Sequence, residues 1–361
     1  MIVAGGDMQA ENHQLALSDV VQRSKVPPHL LRYLLQELEQ RGIAAEKVLP
    51  HTVLDQYSDP TAFLSHDARL TYQQSRLIIL KALALTGDES LGLAVGHRQS
   101  ITSLGLVSLG VMASATGREA LELGIRYHRL TGSMLEIDLE PSSSNALTMI
   151  ARSRFHEPVL LTFFVQELFA AMVGVVRFTT GSKQAINRIE MMQTPPEKKS
   201  LFQDALGSSV IFEASRNAIE FDADHLQRPL VTADRFVLHE VETLLAGMMQ
   251  EESTRLDFLK SVEEEARRRL KNNPSIEEIA GVFSMSERSF RRKLTASQVS
   301  FRDILSQIRQ SQAMELLLWS RLSSEQIAAE LGYSDPRVFR RAFKQWTGET
   351  PSQFRKSVTQ L

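Results

Sequence analysis

Apolar side chains recur at helical spacing near the start of the chain. Leu30, Leu31, Leu34, Leu35 and Leu38 recur at three- and four-residue steps, with polar residues among them. Such spacing places them along one face of an α-helix. We therefore predict helices over much of residues 28–96, after a polar stretch over residues 1–24 that lacks periodicity and is expected to be flexible.

The pattern becomes mixed between residues 105 and 230. Within Met134–Glu140, Leu135, Ile137 and Leu139 alternate with acidic residues, a loop PSSSN follows, and the alternation resumes over Leu147–Ala151. This arrangement predicts a β-hairpin, and shorter strands are predicted near residues 186–192 and 218–221. The strands lie among helical segments, so we expect residues 25–230 to form an α+β domain.

One helix of that domain is apolar enough to resemble a membrane span. It covers residues 159–177, and Gln166 and Glu167 occupy its middle. A carboxylate at the centre of a bilayer costs a few kcal/mol, so a helix in the core of a globular domain is favoured. The N-terminus has neither a secretory signal nor a basic transit sequence, and we expect a cytoplasmic protein with no membrane partner.

A further helix is predicted over residues 233–250, within a segment (residues 231–254) that we assign as a linker or dimer helix. Its apolar residues Leu238, Val241, Leu245 and Met248 follow a 3-4-3 spacing. That spacing fits a short coiled-coil seam between two copies, and it fits packing on the helix's own domain equally well. Residues 255–361 are assigned to a separate all-α domain.

A segment of this last domain occurs twice. IAGVFSMSERSFRRKL (Ile279–Leu294) recurs as IAAELGYSDPRVFRRAF (Ile327–Phe343). Each copy predicts a short helix, a tight turn and a second helix, with serine N-caps in the first copy and Asp335–Pro336 opening the second helix of the other. This is the helix-turn-helix arrangement.

The two copies share a pattern of buried and exposed positions. The predicted buried residues are Ile279, Val282, Phe290 and Leu294 in the first copy, and Ile327, Leu331, Phe339 and Phe343 in the second. Arginines project from the opposite side of each second helix, and guanidinium groups suit guanine edges and phosphate oxygens. The predicted DNA-binding residues are Arg288, Arg291, Arg292, Arg337, Arg340 and Arg341.

The connector over Arg302–Leu318 is predicted to be a helix that joins the two units. Its seventeen residues would span about 26 Å. A rigid rod of this length could hold two recognition helices about one DNA turn apart, so that one chain reads two successive major-groove segments.

Charge supports this assignment once the chain is divided. The whole chain has 41 Lys and Arg against 43 Asp and Glu, a net charge of −2, which by itself argues against nucleic acid. Residues 255–361 have 19 basic and 13 acidic residues, a net charge of +6, and the remainder has −8. The C-terminal third is therefore the segment suited to a polyanion.

The second unit and its tail, IAAELGYSDPRVFRRAFKQWTGETPSQFR, resemble the AraC/XylS family of bacterial transcription regulators. The match covers about 100 residues and includes Gly348, Pro351, Phe354 and Arg355, and the connector contributes Arg309, Ala313, Leu316 and Leu317. A looser resemblance over residues 28–230 is to an arabinose-binding-like N-terminal domain, with Asn217, Phe221, Leu226, Pro229 and Leu230 fitting its end.

The resemblance implies an α+β regulatory domain followed by two helix-turn-helix units joined by a connector helix. It also implies binding to double-stranded promoter DNA, contact with RNA polymerase, and dimerisation or sensing of a small-molecule effector. By position, it assigns base contacts to Arg288, Arg291, Arg292, Arg337 and Arg340, and a phosphate or supporting contact to Arg341.

Two residues depart from the family pattern. Ser284 stands in the first turn, and Gln298 follows the first recognition helix, at positions where the family usually has glycine. Both positions favour a positive φ, which is strained for other residues, so the first unit is predicted to be angled differently or strained.

Other classes of function have weaker support. Enzyme candidates reduce to Ser108 in GLVSLG, which lacks the glycine of a nucleophile elbow. The chain has no cysteine, and its nine histidines lack metal-ligand spacing, so no metal or cofactor is expected. An architectural DNA-binding protein stays an alternative to an effector-controlled regulator. Five polar residues beside apolar stretches could either orient a ligand or form core hydrogen bonds: Tyr127, His128, Arg152, His156 and Glu167.

Overall fold

The computed structural model of the protein describes residues 29–49, 70, 72–143, 146–154, 158–297, 299–347 and 349–359. Contacts divide the chain into two compact units that meet in sequence at Glu252 and Ser253, called here the N-terminal and the C-terminal domain. The predicted flexible segment, residues 1–24, lies outside the described residues.

The N-terminal domain combines helices with one sheet, as the sequence predicts. Its helices are α1 (His29–Gln40), α2 (Tyr72–Thr86), α3 (Leu91–His97), α4 (Leu106–Ala113), α5 (Gly117–Arg126), α6 (Pro158–Thr180), α7 (Lys199–Leu206) and α8 (Ala223–Leu226). Its strands are β1 (Leu135–Ser143), β2 (Ala146–Ser153), β3 (Ile186–Glu190), β4 (Ser209–Ile211) and β5 (Asn217–Asp222).

The five strands form a mixed sheet in the order β1-β2-β5-β3-β4. The predicted hairpin is present: β1 and β2 pair antiparallel, with Ile137 opposite Ala151. Strand β5 lies between β2 and β3 and is antiparallel to both, and β4 is parallel to β3. Strand β4 was missed by the sequence reasoning, because three residues are too few to show an alternation.

The apolar helix α6 is a core helix of this domain. By length and composition its residues 159–180 could cross a membrane, and half of its most apolar window is buried inside the domain. Helix α3 packs very closely on it. A methyl group added at Gly92 would overlap the carbonyl oxygen of Phe163, and one added at Gly96 would overlap that of Glu167. The two glycines therefore set the short distance between the helices.

The segment assigned as a linker (residues 231–254) is helical from Arg235 onward. Helix α9 (Arg235–Arg268) is a single helix of 34 residues, whereas the sequence predicted a helix over residues 233–250. Residues 251–258 contain neither proline nor glycine, so nothing in them ends a helix. Of the predicted seam, Val241 and Leu245 are buried in the core of the N-terminal domain, and Leu238 packs against that core.

The C-terminal domain is all-α. Beyond α9 it has α10 (Ile276–Val282), α11 (Glu287–Ala296), α12 (Phe301–Trp319), α13 (Ser324–Glu330), α14 (Pro336–Thr347) and α15 (Pro351–Thr359). One hydrophobic core joins both repeats and the connector α12. Each repeat contributes a buried phenylalanine, Phe290 or Phe339, from the second helix of its pair.

The predicted buried face of the first repeat needs one correction. Val282 is 46% exposed, although it was predicted to be buried. Helix α10 ends at Val282, and the turn directs the next residue, Phe283, inward. The Phe283 ring lies 5.7 Å from the ring of Phe258 and 5.8 Å from that of Phe290, in the position that Leu331 occupies in the second repeat.

Candidate nucleic-acid interface

The two repeats form equivalent turns between their paired helices. In the first, the amide of Ser284 donates to the carbonyl of Gly281 at 3.0 Å and that of Met285 to Ala280 at 3.0 Å. In the second, Gly332 donates to Ala329 at 3.1 Å and Tyr333 to Ala328 at 2.9 Å. The same bonds recur with an offset of 48 residues, so both copies are helix-turn-helix units of one design.

The turn requires a left-handed residue, as the departure at Ser284 predicted. Ser284 has a φ of 53° and Gly332 a φ of 74°. An L-residue pays about 1–2 kcal/mol in this region, and glycine does not. The first unit therefore contains the strained turn and the second the relaxed one. Gln298, the other departure, lies outside the described residues.

Side chains cap the helices of both units. Ser275 accepts from the amide of Glu278 at 3.1 Å, and the Glu278 carboxylate accepts from the Ser275 amide at 2.7 Å, which is a capping box. Ser323 and Gln326 form the equivalent box at the start of α13. These bonds satisfy amides that a helix leaves free, and so they fix where each helix begins.

The recognition helices α11 and α14 present arginine at identical positions. The second, fifth and sixth residues are arginine in both helices, and all six arginines are exposed: Arg288, Arg291 and Arg292 in α11, and Arg337, Arg340 and Arg341 in α14. The fourth and eighth residues are buried in both helices. Successive residues rotate by about 100°, so the second and sixth point directly away from the core and the fifth lies on the flank.

The flank arginines have acidic partners. Arg291 pairs with Glu287, one turn earlier in α11, at 2.6 Å, and Arg340 pairs with Glu325 of α13 at 3.4 Å. A hydrogen bond from its own backbone amide lowers the pKa of Glu325, with smaller contributions from the Ser323 hydroxyl and from Arg340. Both pairs are exposed, so each contributes little stability and can exchange its carboxylate for another anion.

The outward arginines have no such partner. Within the described residues, no ion pair or hydrogen bond involves the guanidinium groups of Arg288, Arg292, Arg337 or Arg341. Each of these four guanidinium groups keeps its five N–H donors available to a ligand. The sequence predicted the six arginines as one set, and the structure distinguishes two flank and four outward positions.

Arg309 of the connector ties the two units together. Its guanidinium donates to the carbonyl of Leu331 at 3.1 Å and to Asn273 Oδ1 at 2.6 Å, and it lies 4.8 Å from the centre of the Tyr333 ring. Burial raises the pKa of Tyr333. The planar guanidinium of Arg309 thus links the turn of the second unit to Asn273, which precedes the first helix of the first unit.

The connector is a helix, as the sequence predicted, and extends one residue further at each end. Helix α12 has 19 residues, which span about 28 Å. At its start Phe301 contacts Phe290 of the first recognition helix, with 6.5 Å between ring centres. Near its end the carbonyl of Leu317 accepts from Arg355 of α15 at 3.2 Å. The rod is thus fixed at both ends.

The polar candidates of the N-terminal domain have different environments. His128 and Glu167 line one mostly apolar cavity, together with His29 and Gln99, which the sequence reasoning missed. Arg152 is an exposed residue that pairs with Asp138 across the hairpin.

Like Arg152, Tyr127 and Ser108 do not line that cavity, and one further candidate is not described. Tyr127 is buried in a hydrophobic core, and His156 lies outside the described residues. Ser108 is buried inside helix α4 and its hydroxyl has no partner among the described residues, which is not the exposed strand-to-helix turn of a nucleophile elbow.

Two helix-turn-helix units with exposed arginines, joined by one helix and a shared core, define a DNA-binding protein of the helix-turn-helix class. Comparison with known families agrees. Residues 42–230 match the arabinose-binding domain of AraC transcription regulator, N-term, and residues 279–357 match a helix-turn-helix domain. The chain belongs to the AraC family of DNA-binding transcription regulators.

Several relatives match most of the chain. The regulator VirS of Mycobacterium tuberculosis is 32% identical over 272 residues, covering 73% of this chain and 78% of VirS. The ornithine utilization regulator of Pseudomonas aeruginosa is 25% identical over 298 residues, covering 82% and 88%. The crystal structure of the transcriptional regulator CdpR from Pseudomonas aeruginosa covers 91% of this chain and 98% of CdpR, at 20% identity and a TM-score of 0.45.

Proposed function

We propose that the protein controls transcription by reading two successive major-groove segments of a promoter with helices α11 and α14. The observation that carries this proposal is the repetition of exposed arginines at the same three positions of two equivalent helices. A helix surface that is merely solvated has no reason to repeat its arginines in register. A recognition helix makes its base contacts with such residues near its N-terminus.

We assign two kinds of DNA contact to the arginines. Arg337 and Arg340 in the second unit, and Arg288, Arg291 and Arg292 in the first, contact base edges, and Arg341 contacts phosphate or supports its neighbours. Guanine offers two acceptors that a guanidinium fork matches. When DNA replaces their carboxylate partners, Arg291 and Arg340 exchange one anion for another.

The N-terminal domain supplies control in this account. It has its own core and a cavity, which an architectural DNA-binding protein would not need, and we assign to it a small-molecule effector and homodimer formation. Helix α9 leaves three large apolar side chains exposed, those of Phe236 (78%), Leu244 (57%) and Met248 (45%). Exposed apolar side chains of this kind suit contact with a second copy.

The site of action follows from the function. A regulator of this kind works in the cytoplasm and contacts RNA polymerase at the promoter. The name of the Pseudomonas aeruginosa relative refers to ornithine utilization. The mostly apolar lining of the cavity does not suit a molecule with three charged groups, so we assign a different effector here.

The experiment is a titration of duplex DNA with arginine variants. A cognate duplex is selected from a random pool by the full chain, and its affinity is measured by gel shift. Arg337→Ala and Arg340→Ala should each weaken binding by about 1–3 kcal/mol, about 5- to 150-fold, and relax the preference at one base pair.

The control for these variants removes the same charge elsewhere. Arg118 is exposed and paired with Glu122 in the N-terminal domain. Arg118→Ala should bind the selected duplex within about twofold of the unmodified chain, as expected for a surface change far from contact. If Arg337→Ala and Arg340→Ala bind as tightly as Arg118→Ala, the assignment of α14 as a recognition helix is wrong.

A further inference from the structure

The N-terminal domain contains a cavity of about 110 Å³. Its lining comes from α4, α5, β1 and one face of α6, where Glu167, Leu168, Ala171, Met172, Val175 and Thr179 follow one another at helical spacing. An engineered apolar cavity of about 150 Å³ is known to bind benzene. The space therefore suits a compact apolar group of about five or six carbon atoms.

Among the polar atoms of the cavity is a hydrogen-bond acceptor that has no partner. His128 Nδ1 lies 2.6 Å from the carbonyl oxygen of Ile125, and a carbonyl can only accept, so Nδ1 has the proton. Burial lowers the pKa of His128, which keeps the ring neutral. The other ring nitrogen, Nε2, is then a bare acceptor, and it is buried without a partner among the described residues.

The second polar group is the Glu167 carboxyl. Its Oε1 accepts from Gln99 Nε2, and burial raises its pKa to about 7. Among the described residues, no cation contributes to that pKa, so none of them neutralises the carboxylate. A ligand that donates a hydrogen bond or brings a positive charge would compensate Glu167, and an anion would not.

The remaining titratable group of the lining is His29. Its pKa is lowered to about 4 by burial and by the nearby charge of Arg32, so it is neutral, and its Nε2 is also buried without a partner among the described residues. The lining residues His29, His128 and Glu167 thus include no group that is positively charged at neutral pH. The acceptors that the geometry establishes in the cavity are His128 Nε2 and the Glu167 carboxyl.

We propose that this cavity binds a small apolar molecule with one hydrogen-bond-donating head group, an amine that donates to both His128 Nε2 and the Glu167 carboxyl, or a hydroxyl that donates to one of them. The apolar lining encloses the hydrocarbon part. This inference rests on the proposed effector control and names the chemistry of the effector.

The probes are pentanol, pentylamine and pentanoate, which share one alkyl chain and differ in the head group. Binding to the full chain is measured at pH 8 by titration calorimetry, with thermal shift as a second readout. Pentanol and pentylamine should bind at least tenfold more tightly than pentanoate, because only they donate to the acceptors. Pentanoate binding as tightly as pentanol, or no binding by any of the three, would overturn the proposal.

The pH dependence separates the amine from the hydroxyl. With a pKa of about 7, Glu167 is mostly ionised at pH 8 and mostly protonated at pH 6. Pentylamine is a cation at both values, so its affinity should fall about tenfold between pH 8 and pH 6. Pentanol should change less than about twofold. A natural ligand with an amine head group and one with a hydroxyl head group would both support the proposal.

Glu167→Gln keeps the shape and an accepting oxygen while removing the charge. It should weaken pentylamine binding at pH 8 about tenfold, abolish its pH dependence and leave pentanol nearly unchanged. Glu122→Gln removes a carboxylate that is exposed on α5 and paired with Arg118, and it should leave all three affinities unchanged. Equal pentylamine affinity in both variants would show that Glu167 does not accept from the head group.

Gel shifts with and without pentylamine distinguish this inference from the proposed function. Ligand binding that leaves DNA affinity unchanged refutes effector control by this site and preserves the ligand chemistry. A chain that binds its selected DNA and none of the probes refutes the ligand chemistry and preserves the DNA-binding function.

Discussion

Replacing Gly332 by alanine should destabilise the C-terminal domain strongly. The residue has a φ of 74°, and an added methyl group would overlap the carbonyl oxygen of Leu270 and lie 3.2 Å from the amide nitrogen of Asn273. The left-handed conformation costs about 1–2 kcal/mol for alanine. Displacing the Leu270 backbone adds about 1–3 kcal/mol, as overpacking does elsewhere. The expected loss is about 2–5 kcal/mol out of a stability of about 5–15 kcal/mol.

The chain provides a selective assay for this loss. Its two tryptophans, Trp319 and Trp346, both lie in the C-terminal domain, so tryptophan fluorescence reports on that domain alone. In a urea titration with a slope of about 2 kcal/mol per M, Gly332→Ala should lower the midpoint by about 1–2.5 M. The slope itself should stay constant, because the variant buries the same surface.

Two matched variants in the first repeat test the reasoning. Ser284→Gly relieves a left-handed residue, and its stability should be unchanged or higher by up to about 1 kcal/mol. Gly281→Ala adds a methyl group to helix α10 where no atom lies within 4 Å, and it should stabilise by about 0.5–1 kcal/mol. If Gly332→Ala unfolds at the same urea concentration as the unmodified chain, the turn does not impose the conformation described.

Three further outcomes follow from other parts of the structure. Arg309→Lys should destabilise the C-terminal domain by about 1–3 kcal/mol in the same urea assay, because an ammonium group cannot donate to both acceptors as the guanidinium does. An unchanged urea midpoint would show that these two hydrogen bonds are dispensable. Phe236→Asp should shift the sedimentation of the chain from dimer to monomer, whereas Leu201→Asp, at an exposed apolar residue of α7, should not; a dimer in both would place the interface elsewhere. The pKa of Glu167 is higher in the folded state than the unfolded value of 4.5, so the folded state binds its proton more tightly. The free energy of unfolding therefore falls as pH rises from 4.5 through about 7, by about 3 kcal/mol at most. Glu167→Gln should remove this fall, which thermal unfolding followed by circular dichroism would measure, and an identical pH profile in the variant would contradict it.

The helix-turn-helix domain could be predicted from sequence because its signals are local and occur twice. A glycine, an aspartate–proline pair and the serine caps mark where helices begin and turn, and all of them act within four residues. The repeat at Ile279 and Ile327 shows the same helix, turn and helix a second time, with Ser284 and Ser286 at the places of Gly332 and Asp335. The fold class and the positions of the arginines followed from these features.

The sequence reasoning failed where contacts between distant residues decide the structure. Spacing alone places Val282 on the buried face. In the structure the turn that follows leaves Val282 exposed and directs Phe283 toward the core instead. The cavity lies between segments that are far apart in sequence, since His29 and Glu167 meet only in the folded domain. A histidine at the start of a helix gives no sign that it will line a cavity.

The measurement that tests the account most directly compares selected and shuffled DNA over a range of salt concentrations. The full chain should bind the selected duplex at least about 10³-fold more tightly than a shuffled one. With about five to nine phosphates contacted, the log–log dependence of affinity on salt should have a slope between about −4 and −8. Equal affinity for the two duplexes would contradict sequence-specific regulation and favour an architectural role.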